Sequence, residues 1–411
     1  MHLKRIMLII GFILVVIGLG YAIYVVFFTQ QGFNNPQSTT TTETPTGSQF
    51  PTAGQGTGTS TVGTPSDRLP SSNEVPDTSG AQGTTDSTGS SPLVNQLVEQ
   101  PISNASSASN GGVKFYNQAD GKFYHVTATG AVDALADTTF FNVSSVDWSP
   151  KRNEAIIEYP DGANIYYNFD TKEQVTLPQH WESFSFEQTG DKIAAKSIGF
   201  SEENQWLVVS DPKGTNVTPI EPLGQNAAKV IVDWSPNNSV IALSRTGESL
   251  GSDRQEVLLL GQYGENFKSV IVEGRDLRST WSPNGEKLLH SVYSAQSEYQ
   301  PQLWVVNASG DTIGSGRKLL NVNTWADKCA FADDRYVYCG VPRILEKGSG
   351  FVPALADAAP DDIIRIDTQT GLKQQIQTDG VHTVDSMFLG DSGRTLYFTD
   401  KNQTGLFQIP L

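Results

Sequence analysis

Trp281-Ser282-Pro283-Asn284-Gly285-Glu286-Lys287-Leu288-Leu289 is the stretch that decides the fold, because its first three residues recur along the chain. The other copies of this three-residue motif are Trp148-Ser149-Pro150 and Trp234-Ser235-Pro236. Each copy follows a short strand-like run and precedes a polar turn and an apolar run, as in Lys287-Leu288-Leu289. Two short strands joined by a tight turn give this pattern.

Weaker copies of the motif keep an aromatic residue in the tryptophan position. The spacings between successive aromatic positions are 38 to 57 residues, and the positions are Trp148, Phe186, Trp234, Trp281, Phe331 and Phe388. A repeated unit of about that length, built from several short strands, is typical of a propeller blade. We expect these rings to pack between blades rather than line a ligand site, because a large ring at a recurrent position buries well between adjacent sheets.

The repeats predict an all-β chain with a single β-propeller over residues 93–411, built from seven four-stranded blades. Six or eight blades are the alternatives. The last blade, from Val384 to Leu411, shows only three strands before the chain stops. An incomplete ring would leave open strand edges, so we expect Leu93–Glu99 to supply the missing strand.

The N-terminus has the pattern of a signal anchor. Residues 1–5 are a short basic start, and residues 6–28 carry no charge. As a helix, the uncharged segment would span about 35 Å, which exceeds the roughly 30 Å of a bilayer core. A cleaved signal peptide, the alternative, has a shorter apolar core and a small-residue cleavage site. Lys4 and Arg5 place the N-terminus in the cytoplasm and predict an extracytoplasmic propeller, anchored in the lipid bilayer through residues 6–28.

Residues 29–92 are rich in Thr, Ser, Gly and Pro, with very few apolar side chains. Such a segment cannot bury enough surface to offset its ordering entropy, so it is predicted to be a disordered stalk. The chain has a formal net charge of −16. Nucleic-acid binding requires a basic surface that displaces counterions from phosphates, so no nucleic-acid partner is expected.

Cys329 and Cys339 are the two cysteines of the chain. They flank a strand–turn–strand pattern centred on Asp334, so they would pair directly across an antiparallel hairpin. An exported location favours oxidation, and we predict a disulfide that stabilises the domain by roughly 2–3 kcal/mol. A pair of buried thiols is the alternative.

The stretch 281–289, together with Leu303-Trp304-Val305-Val306-Asn307, resembles the repeats of TolB-like and WD-repeat-like bacterial propellers. The resemblance covers roughly residues 93–411 and is strongest in blades two, four and five. The layout of basic start, anchor, stalk and propeller resembles membrane-anchored propeller proteins of candidate bacterial phyla. The resemblance implies a propeller fold and binding to a partner in the cell envelope.

The leading functional hypothesis is a non-catalytic module that binds a protein, peptide or glycan in the envelope. The alternative is a glycan-active enzyme that uses carboxylates at the channel, for which Asp147, Asp233 and Asp385 are the candidates. The enzyme predicts two carboxyl groups within about 5–9.5 Å of each other. The binding module predicts a contiguous apolar patch on one face, and a purely structural spacer predicts neither feature.

No catalytic residue, metal ligand or cofactor site is predicted. The segment Gly247-Glu248-Ser249-Leu250-Gly251 matches the nucleophile elbow of serine hydrolases. It lies in a polar loop between two strands, whereas the elbow needs a strand-to-helix turn, so we interpret the match as chance. An insertion in blade six, residues 341–361, is predicted to be either a partner contact or a lid over one face of the ring.

Overall fold

The strands form seven antiparallel sheets of four strands each, and the first strands of most neighbouring sheets contact one another. This confirms the prediction of an all-β, seven-bladed propeller. The computed structural model describes residues 94–411, apart from 110, 128, 266 and 391–392. The predicted anchor and stalk lie outside the described residues. Among the residues described, no helix is long and apolar enough to span a membrane.

Blades one to four follow the chain in order, each from its innermost strand outward. Blade one contains β2 (Ile102–Ser107), β3 (Val113–Asn117), β4 (Lys122–Val126) and β5 (Val132–Ala134). Blade two contains β6 (Ser145–Trp148), β7 (Glu154–Glu158), β8 (Asn164–Asn168) and β9 (Gln174–Leu177). Blade three contains β10 (Trp181–Phe186), β11 (Ile193–Ile198), β12 (Gln205–Ser210) and β13 (Thr218–Pro222). Blade four contains β14 (Val230–Val232), β15 (Ala242–Ser244), β16 (Gln255–Leu260) and β17 (Val270–Val272).

Blades five to seven complete the ring. Blade five contains β18 (Arg275–Trp281), β19 (Lys287–Tyr293), β20 (Gln302–Asn307) and β21 (Lys318–Leu319). Blade six contains β22 (Cys329–Phe331), β23 (Tyr336–Pro342), β24 (Asp361–Asp367) and β25 (Lys373–Ile376). Blade seven contains β26 (Val384–Leu389), β27 (Thr395–Asp400), β28 (Leu406–Pro410) and, from the start of the domain, β1 (Asn95–Val98). Short 3-10 helices lie at Glu202–Asn204, Gly224–Lys229, Ala295–Ser297, Gly310–Thr312, Ala326–Lys328 and Pro353–Ala356.

The ring closes through a strand from the front of the domain. β1 pairs antiparallel with β28, with Asn95 opposite Gln408 and Val98 opposite Leu406. The exchange gives blade seven its fourth strand, so the prediction for Leu93–Glu99 is confirmed in the part of that stretch that the structure describes. Closure links the two ends of the domain and covers an otherwise open strand edge.

The hydrophobic core is divided among the interfaces between blades. One cluster of buried side chains lies between each pair of neighbouring blades in the described part of the chain. Trp234 packs at the interface of blades three and four, and Trp281 at that of blades four and five. Phe186 and Phe331 occupy the equivalent positions toward blades two and five. Trp148 is half-buried and contacts the cluster between blades one and two.

In blade seven, the prediction for Phe388 is wrong by one residue, because Leu389 occupies the tryptophan position at the blade interface. Leu389 pairs with Leu396 directly before the turn, as Trp281 pairs with Leu288 in blade five. Phe388 therefore lies on the opposite side of its strand and packs toward blade one. The apolar run Met-Phe-Leu fits either register, and a shift of one residue reverses every side chain on the strand.

The Trp-Ser-Pro turns also connect neighbouring blades. In the turn after Trp281, the Ser282 hydroxyl accepts the backbone N–H of Lys287, and the Gly285 N–H donates to the Ser282 carbonyl. Gly285 has a φ of +70°, and a Cβ there would lie 2.7 Å from Asn237 of the preceding turn. The Asn237 amide donates to the Gly285 carbonyl at 2.8 Å. Glycine is thus needed both for the turn and for the close approach between blades.

Candidate binding face and channel

The insertion of blade six lies on the face of the ring where the innermost strands begin, which we call the entry face. Because strands alternate in direction, this face carries the connections between blades and the loops between the second and third strands. The insertion joins β23 to β24, and its irregular part spans residues 343–360. We refer to residues 343–360 as the lid. The predicted boundaries of 341–361 therefore include the ends of two strands.

One side of the lid packs against blade five. The Phe351 ring lies 4.6 Å from the ring of Tyr293 and 4.8 Å from that of Tyr299, measured between centroids. The Gly350 N–H donates to the Tyr299 carbonyl at 2.7 Å. A Cβ on Gly350 would lie 2.5 Å from the Tyr293 ring, so glycine allows this approach. Lys347 adds an exposed ion pair with Glu298.

The other end of the lid is fixed by a buried ion pair. The Lys328 ammonium lies 2.7 Å from the carboxylate of Asp361, and the two residues are 5% and 3% exposed. The backbone N–H of Val384, in blade seven, donates to the same carboxylate at 2.6 Å. Burial lowers the pKa of Lys328 and raises the pKa of Asp361, although their mutual attraction opposes both shifts. The pair thus joins the lid, the inner strand of blade six and blade seven.

The lid presents apolar side chains to solvent. We call these exposed residues the lid patch, and they are Ile344, Phe351, Val352 and Leu355. Other large apolar side chains exposed on the entry face are Phe141, Phe200, Leu250, Tyr299 and Val381. Single exposed apolar residues are common on protein surfaces, whereas several on one short, fixed segment are typical of an interaction site.

Charged pairs surround a small cavity between the lid and the inner strands. Arg278 donates to Asp327 at 2.8 Å, and the Lys401 ammonium lies 3.7 Å from Asp385. Together with Pro353 of the lid, these side chains line a cavity of about 40 Å³. That volume has room for only a few water molecules. The cavity is therefore too small for an organic ligand as it stands.

The channel carboxylates predicted from sequence lie in different environments. Burial and the adjacent carboxyl group of Glu158 raise the pKa of Asp147 well above its usual range. Glu158 accepts a hydrogen bond from the Ser145 hydroxyl at 2.6 Å. Burial raises the pKa of Asp233 to about 7, with a smaller opposing effect of Trp281. Asp385 is exposed at the start of β26, where Lys401 is its charged neighbour.

The structure thus gives Asp147 a carboxyl partner, but that partner is Glu158 rather than Asp233 or Asp385. Sequence reasoning missed Glu158 because it lies on the second strand of the blade, diagonally across from Asp147. Among the described residues, no group of three or more His, Cys, Asp or Glu side chains is arranged to hold a metal ion.

The predicted disulfide is confirmed. Cys329 and Cys339 face each other across β22 and β23 and are covalently linked. Both residues are buried in the cluster between blades five and six. Cys329 directly follows Lys328, so the bond fixes the strand that begins beside the lid's buried ion pair.

Replacing both cysteines with alanine is expected to lower the free energy of unfolding by about 2–3 kcal/mol, since the cross-link restricts the unfolded chain. Thermal unfolding with and without dithiothreitol tests this. The reductant should lower the Tm of the wild type and leave that of the double variant unchanged. Equal Tm values for the wild type and the double variant without dithiothreitol would contradict the prediction.

No protein-family model matches the chain, and no curated protein matches it. The chain is similar to solved propellers. An oligogalacturonate lyase in complex with manganese matches with a TM-score of 0.53 and 13% identity over 77% of this chain and 93% of that chain. The β-propeller domain of Cps50 (Swd1) from Myceliophteria thermophila matches with a TM-score of 0.52 and 11% identity over 77% of this chain and 98% of that chain. A chain of the mitotic checkpoint complex matches with a TM-score of 0.50 and 13% identity over 82% of this chain and 96% of that chain. At these identities the similarity shows the propeller fold alone.

Proposed function

We propose that the protein is a membrane-anchored, extracytoplasmic propeller that binds a partner in the cell envelope without catalysing a reaction. Residues 6–28 would anchor it in the bilayer, and residues 29–92 would act as the stalk. The partner classes considered from the sequence are a protein, a peptide and a glycan. The lid patch carries the proposal, and it favours a polypeptide with apolar side chains, because an exposed apolar patch gains free energy when a partner's apolar side chains cover it.

The fixed position of the lid supports this function. A loop that is already held at both ends loses little conformational entropy when a partner binds. The Phe351 cluster holds one end and the Lys328–Asp361 pair the other. The acidic net charge of the chain keeps the domain soluble and disfavours contact with anionic lipid beyond the anchor.

Co-purification from native membranes tests the proposal, with the full-length chain as bait. The variant Ile344→Ser/Val352→Ser/Leu355→Ser is expected to lose the partner, because it removes apolar contacts without disturbing the Phe351 cluster. The matched control is Phe141→Ser, which removes an exposed apolar side chain elsewhere on the entry face. Substitutions at such exposed sites should change stability by no more than about 0.5 kcal/mol. Equal recovery of partners by all three proteins would refute the proposal.

The alternative, a glycan-active enzyme, is favoured by one observation, the carboxyl pair of Asp147 and Glu158. The raised pKa of Asp147 suits a general acid, but the two carboxyl groups share a hydrogen bond and so lie closer together than the roughly 5–9.5 Å of glycosidase pairs. The variant Asp147→Asn distinguishes the two functions. It should leave partner recovery unchanged under our proposal, whereas under the alternative it would abolish sugar release from envelope polysaccharide.

A further inference from the structure

A second possible ligand site lies between blades four and five, beside the segment of blade five that the lid contacts. It is a groove of about 360 Å³, within the size range of small-ligand sites. The long loop between β15 and β16 forms one wall, and the segment between β19 and β20 forms the other. The side chains relevant here are Asp253, Arg254, Glu273, Gln296, Gln302 and Trp304.

Trp304 provides an aromatic surface, and buried polar atoms at this position lack hydrogen-bond partners. It lies on β20, directly opposite His290 on β19. Its indole N–H has no acceptor among the described residues, and neither ring nitrogen of the fully buried His290 has a partner there. The Arg317 guanidinium lies over the Trp304 ring, 6.0 Å from its centre. Unpaired buried polar groups are uncommon and are often found at functional sites.

The charges around the groove are largely paired with one another. Glu273 contacts Arg254 at 3.2 Å and Arg317 at 2.8 Å. The remaining polar side chains of the lining are Ser252, Asp253, Ser294, Gln296 and Gln302. Amide groups both donate and accept, so the lining offers both kinds of hydrogen bond without a strong net charge.

We propose that this groove binds a neutral saccharide. Sugar hydroxyls donate and accept hydrogen bonds as the two glutamine amides do, while a tryptophan ring packs against the apolar C–H face of a sugar. An anionic ligand would meet Asp253 and a chain with a net charge of −16. The site also gives a role to the loop 247–251, whose residues Leu250 and Gly251 line the groove.

Titration calorimetry of the full-length chain in lipid nanodiscs tests this inference. The probes are cellotetraose, maltotetraose, mannotetraose and N-acetylated chitotetraose, with tetragalacturonate as the anionic comparison. At least one neutral probe should bind with a Kd of about 1 mM or tighter. Trp304→Ala should weaken that binding by about tenfold or more, because it removes the central aromatic contact.

Two further variants separate loss of the site from loss of the fold. Gln296→Ala/Gln302→Ala leaves the Trp304 ring in place and should also weaken binding, whereas the exposed control Gln374→Ala should not. The lid-patch variant Ile344→Ser/Val352→Ser/Leu355→Ser should bind the saccharide normally, since none of its three residues lines the groove. The inference is overturned if no neutral probe binds, if tetragalacturonate alone binds, or if the groove variants bind as the wild type does.

Discussion

Replacing Lys328 with methionine is expected to lower the free energy of unfolding by about 3–5 kcal/mol, because the Asp361 carboxylate would remain buried without its counter-charge. Asp361→Asn should cost a similar amount by leaving the Lys328 ammonium unpaired. The double variant Lys328→Met/Asp361→Asn should recover to within about 1–2 kcal/mol of the wild type. It removes both charges and keeps a side-chain oxygen for the Val384 N–H.

Chemical denaturation of the wild type and the three variants gives the coupling energy between the two residues. The matched control is Lys347→Met, because Lys347 forms an exposed lid pair with Glu298, in which the side chains are 76% and 56% exposed. Its loss should cost no more than about 1 kcal/mol. The single variants should also be cleaved faster by protease within residues 343–360, since the pair holds one end of the lid. A Lys328→Met protein as stable as Lys347→Met would contradict the role of the buried pair.

The repeat-level features of the fold could be predicted because they depend on local periodicity. The Trp281 turn needs a serine, a proline and a glycine at fixed positions, and that requirement is visible in nine consecutive residues. The Cys329–Cys339 bond follows from the length of one hairpin. The strand from the front of the domain follows from the shortage of strands at the end of the chain.

Features that depend on register or on distant residues could not be predicted in the same way. The choice between Phe388 and Leu389 at the blade interface depends on a shift of one residue within an apolar run. Glu158 meets Asp147 diagonally across two strands, so their contact requires the pairing register. Lys328 meets Asp361 across an irregular insertion whose path has no periodic signal. The candidate sites lie mostly in this second group, because they are built on loops and on contacts between blades.

His290 is expected to destabilise the propeller as the pH drops from 6.5 toward 4, whereas the raised pKa values of Asp147 and Asp233 act in the opposite direction. Burial lowers the pKa of His290 from 6.5 to about 4, against a smaller upward effect of the Leu288 backbone. The unfolded chain therefore binds a proton in this range that the folded chain excludes. The contribution is fully present above pH 6.5 and is lost as the pH falls to 4, with a total of about 3 kcal/mol.

Denaturation midpoints measured between pH 4 and 7.5 test this expectation. The variant His290→Leu places an apolar side chain of similar size in the interface of blades four and five and removes the titrating group. It should lower the slope of stability against pH by up to about one proton relative to the wild type and be at least as stable as the wild type at pH 4.5. His180→Gln is the control, because His180 is exposed and its loss should leave the slope unchanged. If His290→Leu keeps the full wild-type slope, other groups control the acid sensitivity, and the buried imidazole does not destabilise the interface when protonated.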